Sequence, residues 1–247
     1  KMTDAANYAE AVLANSSFSL ASTAMDFSKN WVAGSSSPEI IFAYVNNSRA
    51  SSPLNFTLYV NDTDGSWNYA PSDWCYNSLF ADDNTLSRKG DVRLKATFTS
   101  QDANRVIKYP NGTYQLAETS DYTCTPVVIS RISEMYLIKA EALGKTNGAA
   151  ALVEYMKKRY TTAPSEAAIK ALSDKEYQTL ILDERRREFY AEGMRWQDIK
   201  RTNRLELLET LDGRTYLMYY PIPQDEIDMA GTVAYPQNPG YAGYTGN

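Results

Sequence analysis

Carboxylates recur every four residues at Glu184, Glu188 and Glu192, inside the charged run 181–201. Residues four apart lie on one side of a helix, so these acids share a face. Like charges stacked in this way cost stability unless cations answer them, and buried pairs of this type can dictate how helices dock. Arg185, Arg187 and Arg195 are the cations at hand. The run therefore predicts a helix over 174–191, capped by Ser173, then a break at Gly193 and a further helix over 196–201. The functional alternative is a glycosidase acid/base pair. Such pairs stand on separate elements with the sugar between them, which one crowded face does not offer.

Histidine is absent from the 247 residues. Without it the chain has no Ser-His-Asp or Cys-His nucleophile system and no histidine-containing metal site. The net charge of −5 argues against a nucleic-acid footprint. The basic clusters at 157–159 and 185–187 are interleaved with carboxylates or aromatics and read as solvated or salt-bridged helix faces. No run of about 18 apolar residues is present that could cross a membrane as a helix. Cys75 and Cys124 allow one disulfide without requiring it. The motif Asn61-Asp62-Thr63-Asp64-Gly65 has a calcium-loop flavour, but the bidentate Glu at the required spacing is missing, so no metal site is expected.

Along the chain, residues 5–15 carry apolar side chains at helical spacing, and 38–45 alternates like a strand. Residues 46–125 sustain neither period. Asn, Ser, Asp, Gly and Pro punctuate this stretch, while its aromatics argue for order. Short strands are expected near 94–98 and 106–109. After Pro126 the pattern turns helical: 130–143 ending at Gly144, then 149–160, 165–171 and the long charged helix. Helices of this length joined by short connections suggest tetratricopeptide-like hairpins. Residues 210–214 read as a turn and 216–220 as extended. Tyr235 and Tyr241 should anchor an extended tail, 233–247.

The irregular region holds the residues best suited to recognition. Trp67, Tyr69, Trp74 and Tyr76 lie there beside Asn68, Asp73 and Asn77. Indole and phenol faces stack on sugar rings, and neighbouring amides bond sugar hydroxyls. Trp67, Tyr69, Trp74, Tyr76 and Asn77 are the expected ligand-binding residues, with Trp31 a weaker addition. The bland reading is that these rings anchor a long loop to the helices.

Several stretches carry a family resemblance, in this order along the chain. They are Glu39-Ile40-Ile41-Phe42, Asp91-Val92-Arg93, the run 131–142, the run 181–201, then Tyr220-Pro221-Ile222-Pro223 and Gln237-Asn238-Pro239-Gly240-Tyr241. Together they resemble the SusD/RagB group of surface nutrient-binding lipoproteins of Bacteroidetes. The resemblance implies a mainly α fold of tetratricopeptide-like hairpins with long loops and a few short strands. Residues 1–247 would form one such domain without the family's N-terminal portion, which carries the signal and lipid anchor. Its parts would be a ligand region at 46–125, a helical framework at 126–209 and a tail at 215–247. It further implies non-catalytic capture of oligosaccharides or other nutrients at the outer-membrane surface, passed to a SusC-like TonB-dependent transporter, without cofactor. A peptide-binding scaffold and a two-carboxylate glycoside hydrolase are the alternatives.

Overall fold

The computed structural model describes residues 1–32, 36–45, 70–99, 105–109, 125–208, 211–230 and 235–242. They fall into two compact units, Lys1–Tyr190 and Ala191–Asn247. In the first unit the order is α1 (Met2–Leu13), α2 (Ala24–Ser28), a 3-10 turn (Lys29–Trp31), β1 (Ile40–Tyr44), a π-helix (Cys75–Leu79), β2 (Lys89–Asp91) and α3 (Val92–Thr97). Then follow β3 (Val127–Arg131), α4 (Ile132–Arg159), β4 (Tyr160–Thr162), α5 (Glu166–Ala171) and α6 (Asp174–Glu188). The strands form two antiparallel ribbons, β1 with β3 and β2 with β4.

The centre of this unit is a hairpin hidden inside α4. Gly144 leaves helical geometry at φ 67° and ψ 175°, a conformation that a Cβ disfavours. The two halves then run back along each other. Tyr136 donates its hydroxyl to Glu154 at 2.9 Å across the hairpin, and a Cβ on Gly148 would strike the Ala140 carbonyl. Tyr177 of α6 donates to that same carbonyl at 2.9 Å, which pins α6 to the crossing. α1 packs on α4 from another side and is tied to it by the Glu10–Lys139 ion pair. Leu137, Leu152, Met156, Ile169, Ile181 and Leu182 fill the space between, all fully buried.

α6 starts as its sequence predicts. Ser173 accepts from the Glu176 N–H, and the Glu176 carboxylate accepts from the Ser173 N–H at 2.7 Å, a reciprocal capping box. The helix stops at Glu188 rather than 191: Phe189 leaves helical geometry at φ −103° and ψ 27°, and Ala191 then adopts φ 63°. Residues 94–98, expected as a strand, lie largely in α3. The Asp91 side chain accepts from the Arg93 N–H and nucleates a helix there despite the alternating apolar pattern. Residues 130–131, expected as helix, end β3 instead, since Val127, Val128 and Ile129 favour the ribbon with β1.

In the second unit, α7 (Met194–Thr202) follows Gly193, which has φ 78°, and 3-10 turns occupy Leu205–Leu207 and Thr215–Met218. The latter replaces the extended segment expected at 216–220. α8 (Gln224–Met229) follows Pro223. The two C-terminal motifs meet here. Prolines flank Ile222, and the Gln237 amide accepts from its N–H at 2.7 Å and donates to its carbonyl at 2.8 Å. The side chain thus substitutes for a neighbouring strand. Tyr241 stacks edge-on against Tyr216 and donates to the Tyr219 carbonyl at 2.6 Å, whereas Tyr235 is exposed rather than anchoring.

The close crossing within α4 makes a sharp prediction. Gly148→Ala should destabilise the protein by about 1–3 kcal/mol through overpacking, despite alanine's better helix propensity. Gly144→Ala should cost about 1 kcal/mol through its positive φ alone. Urea unfolding of both variants checks this; a Gly148→Ala protein as stable as the parent would contradict the hairpin geometry.

Candidate functional site

Two of the three carboxylates singled out by their spacing are not at a surface; Glu192, past the end of α6, is half-buried and leaves their shared face. Glu184 and Glu188 are both 0% exposed. Glu188 accepts from Arg131 Nη1 at 2.5 Å, from Arg159 Nε and Nη2 each at 2.9 Å, and from the Tyr155 hydroxyl at 2.8 Å. Arg93 Nη1 approaches the same Oε2 that takes Tyr155 and Arg159 Nε, at 3.3 Å. Glu184 accepts from Arg93 at 2.9 Å, Arg187 at 2.9 Å and the Tyr160 hydroxyl at 2.6 Å. Glu39 of the turn before β1 joins through Arg159 at 2.7 Å, and Asp91 holds Arg93 at 2.7 Å.

Of the cations expected to answer these acids, Arg187 does so; Arg185 turns to Glu134 instead. The remaining partners, Arg93, Arg131 and Arg159, come from distant segments that helical spacing cannot reveal. Burial alone would raise both glutamate pKa values. The surrounding guanidiniums overcome it: Arg93, Arg187 and Arg88 lower Glu184, while Arg159, Arg131 and Arg93 hold Glu188 well below its ordinary value. A general acid needs the opposite shift and a path to substrate. These two carboxylates therefore hold the fold together and are closed to acid/base work.

The network nevertheless reaches a surface through one residue. Arg187 bonds Glu184 with Nη1 and donates Nε to the Leu79 carbonyl at the end of the π-helix. That helix closes with an i to i+5 bond, Phe80 N–H to the Cys75 carbonyl, at 3.0 Å. π-Helical turns are rare and are frequent at functional sites. Beneath it Phe98 contacts Tyr76, Phe80 and Tyr190 with centroid distances of 5.5, 5.4 and 4.8 Å. Cys75 is a buried free thiol with Sγ 3.7 Å from the Tyr190 hydroxyl, whereas Cys124 lies outside the described residues.

On top of the anchored turn, Trp74 is 39% exposed and Asn77 is also exposed. The Arg186 guanidinium lies 4.3 Å from the Trp74 ring centroid, so α6 sends Arg187 inward and Arg186 outward under the indole. Tyr76 is half-buried. Its hydroxyl makes no hydrogen bond to the described residues, and burial first, then the nearby Cys75 and Asp73, raises its pKa. The structure thus brings Trp74, Tyr76 and Asn77 together on one element. Trp67 and Tyr69 lie outside the described residues. Trp31 is elsewhere and only 1% exposed, packed between Phe27, the Lys108 ammonium at 4.5 Å and the Arg131 guanidinium at 5.3 Å. Its ring is a wall for buried cations and offers no face to a ligand. Arg186, read from sequence as one of a solvated basic cluster, was the residue missed; only its contact with Trp74 distinguishes it from Arg185 and Arg187.

The model of the SusD family matches residues 82–213, more than half of the chain. The SusD-like protein P38 of Formosa agariphila is 30% identical over 142 residues, covering 52% of this chain and 27% of that protein. A SusD superfamily protein from Bacteroides fragilis superimposes with a TM-score of 0.63 at 21% identity, covering 97% of this chain and 59% of the other. The surface glycan-binding protein A of Bacteroides thetaiotaomicron, in complex with laminarihexaose, gives 0.54 at 19% identity over 96% of this chain and 59% of that one. The chain therefore spans less than two thirds of each of these relatives. The shared architecture is the expected one: mainly α, with tetratricopeptide-like hairpins, long loops and a few short strands.

The buried network predicts a measurable acid sensitivity. Glu188→Ala leaves Arg93, Arg131 and Arg159 without their shared anion and should cost about 3–5 kcal/mol in urea unfolding. Because Glu184 and Glu188 are lowered from 4.5, their contribution is full above that pH and is lost as pH falls through their lower folded values. The stability gap between the parent and Glu188→Gln should therefore narrow in urea midpoints taken below about pH 4.5; a gap independent of pH would contradict the network's ionic character.

Proposed function

This chain belongs to the SusD family, and from that premise we propose that it binds glycans at the cell surface without cleaving them. The observation that carries the reading is Trp74. An exposed indole on a π-helical turn, backed by a guanidinium and tied through Arg187 to a buried network, is a rigid stacking platform. Asn77 supplies an exposed amide beside it, while the Tyr76 ring packs on Phe98 beneath and supports the turn, and a ring with amides around it is the mixture that a shallow sugar site uses. The laminarihexaose complex of a structural neighbour agrees with this reading in ligand class. Trp67 and Tyr69 are proposed to extend the same site.

Binding without cleavage fits the burial of Glu184 and Glu188 and the absence of histidine. The proposal extends, through the family, to attachment at the outer membrane by a lipid anchor upstream and to hand-over to a SusC-like TonB-dependent transporter. Residues 1–247 are taken as the C-terminal larger part of one domain, a reading supported by the 97% of this chain that a single neighbour covers. A second reading, a protein-contact surface, draws on the β1–β3 ribbon. There Phe42 and Tyr44 are exposed and stack edge-on at 5.1 Å.

Affinity electrophoresis and calorimetry against a panel of soluble polysaccharides test the proposal, with reducing-end release followed in parallel. One polysaccharide class should bind, with no sugar released, and Trp74→Ala should weaken binding at least about tenfold, the loss of roughly 1.4 kcal/mol of stacking. Trp31→Ala should instead lower stability, by about 3–5 kcal/mol as for a large core aromatic. Binding that survives Trp74→Ala would move the site away from the π-helix, and a panel with no binder would favour the protein-contact reading.

A further inference from the structure

The Trp74 platform has a charge character that the aromatic residues alone do not explain. Among the described residues, Arg186 is the arginine that makes neither a hydrogen bond nor an ion pair; its sole recorded partner is the Trp74 ring. Its neighbours and others are engaged by carboxylates or carbonyls, as with Arg185 on Glu134, Arg187 on Glu184 and Arg214 on the Leu211 carbonyl. A guanidinium held over an indole meets the ring through its charge, and that contact consumes few of its five N–H donors. The geometry therefore sets a fork of free, charged donors at the edge of an exposed sugar-stacking surface.

We propose that this site selects sugars carrying an anionic group, a uronate carboxylate or a sulfate ester, with the pyranose ring on Trp74 and the anion at Arg186. The inference rests on the glycan-binding reading and sharpens it. Charge-assisted, bidentate bonds to planar anions are the chemistry in which arginine exceeds lysine, and Asn77 offers a further donor on the same turn. Asp73, next to Trp74, is already engaged with a partner of its own and lies exposed. The chain's net charge of −5 disfavours indiscriminate retention of polyanions, so the preference must come from this local arrangement.

The test compares three oligosaccharide probes of similar length by calorimetry: polygalacturonate, sulfated carrageenan and neutral laminarin. Each is titrated into the parent, Arg186→Gln and Arg186→Lys proteins, with thermal melts to establish that the variants fold. The expected result is at least about tenfold tighter binding of one anionic probe than of laminarin, a ratio that collapses in Arg186→Gln and recovers partly in Arg186→Lys. Preference for polygalacturonate identifies the carboxylate as the source of the anion, and preference for carrageenan the sulfate ester. Laminarin binding as tightly as both, with the ratio unmoved by Arg186→Gln, overturns this inference while leaving glycan binding in place. Failure of both anionic probes to bind overturns this inference, and glycan binding falls with it only where the wider polysaccharide panel also yields no binder.

Discussion

Guanidiniums and carboxylates withdrawn from water must find one another, and in the first unit of this protein they do so at its centre. Taking either ion out of water alone costs several kcal/mol, so no element that carries one can dock without its partners. Glu188 gathers Arg93 from α3, Arg131 from the end of β3 and Arg159 from the end of α4. Glu184 draws in Arg187 and Tyr160, and Arg159 brings Glu39. Each ion is answered by groups from segments far apart in the chain. Such a cluster tolerates one arrangement of α3, β3, α4 and α6 and penalises the others, a specificity that apolar packing by itself would supply less sharply.

The same cluster explains how a rigid recognition surface can sit on an otherwise irregular stretch. Arg187 spans from the buried Glu184 to the last carbonyl of the π-helix, so the turn that bears Trp74 inherits the stiffness of α6. One residue earlier on the same helix, Arg186 lies beneath the indole. Adjacent positions on a helix point about 100° apart, and here that angle separates a structural arginine from a recognition arginine. A binding platform held in this way loses little freedom when a ligand arrives, which favours affinity.

Much of this organisation could be read from residue order. The capping box at Ser173, the break at Gly144, the helix after Gly193 and the face shared by Glu184 and Glu188 are local signals, and local backbone chemistry delivers them. Where two local signals competed, the reading failed. Leu94, Ala96 and Phe98 alternate like a strand, yet Asp91 caps the chain into α3. Val127 to Ile129 could extend either a helix or a ribbon, and pairing with β1 decided it. Trp31 had the composition of a ligand platform but is enclosed by Phe27, Lys108 and Arg131, none of which sequence proximity to a binding loop would exclude.

The amino-acid sequence by itself determined the class of fold, its family and the need to neutralise a row of carboxylates, because periodicity and capping act within a few residues. It also confined the chemistry, since a chain without histidine forgoes much of nucleophilic catalysis. Which cations answer Glu184 and Glu188, which tryptophan faces outward and which arginine stands under it were decided only by tertiary structure. Those outcomes depend on segments that meet across tens of residues, and the free energy that selects them is the desolvation of charge, which exists only once the chain has closed around it.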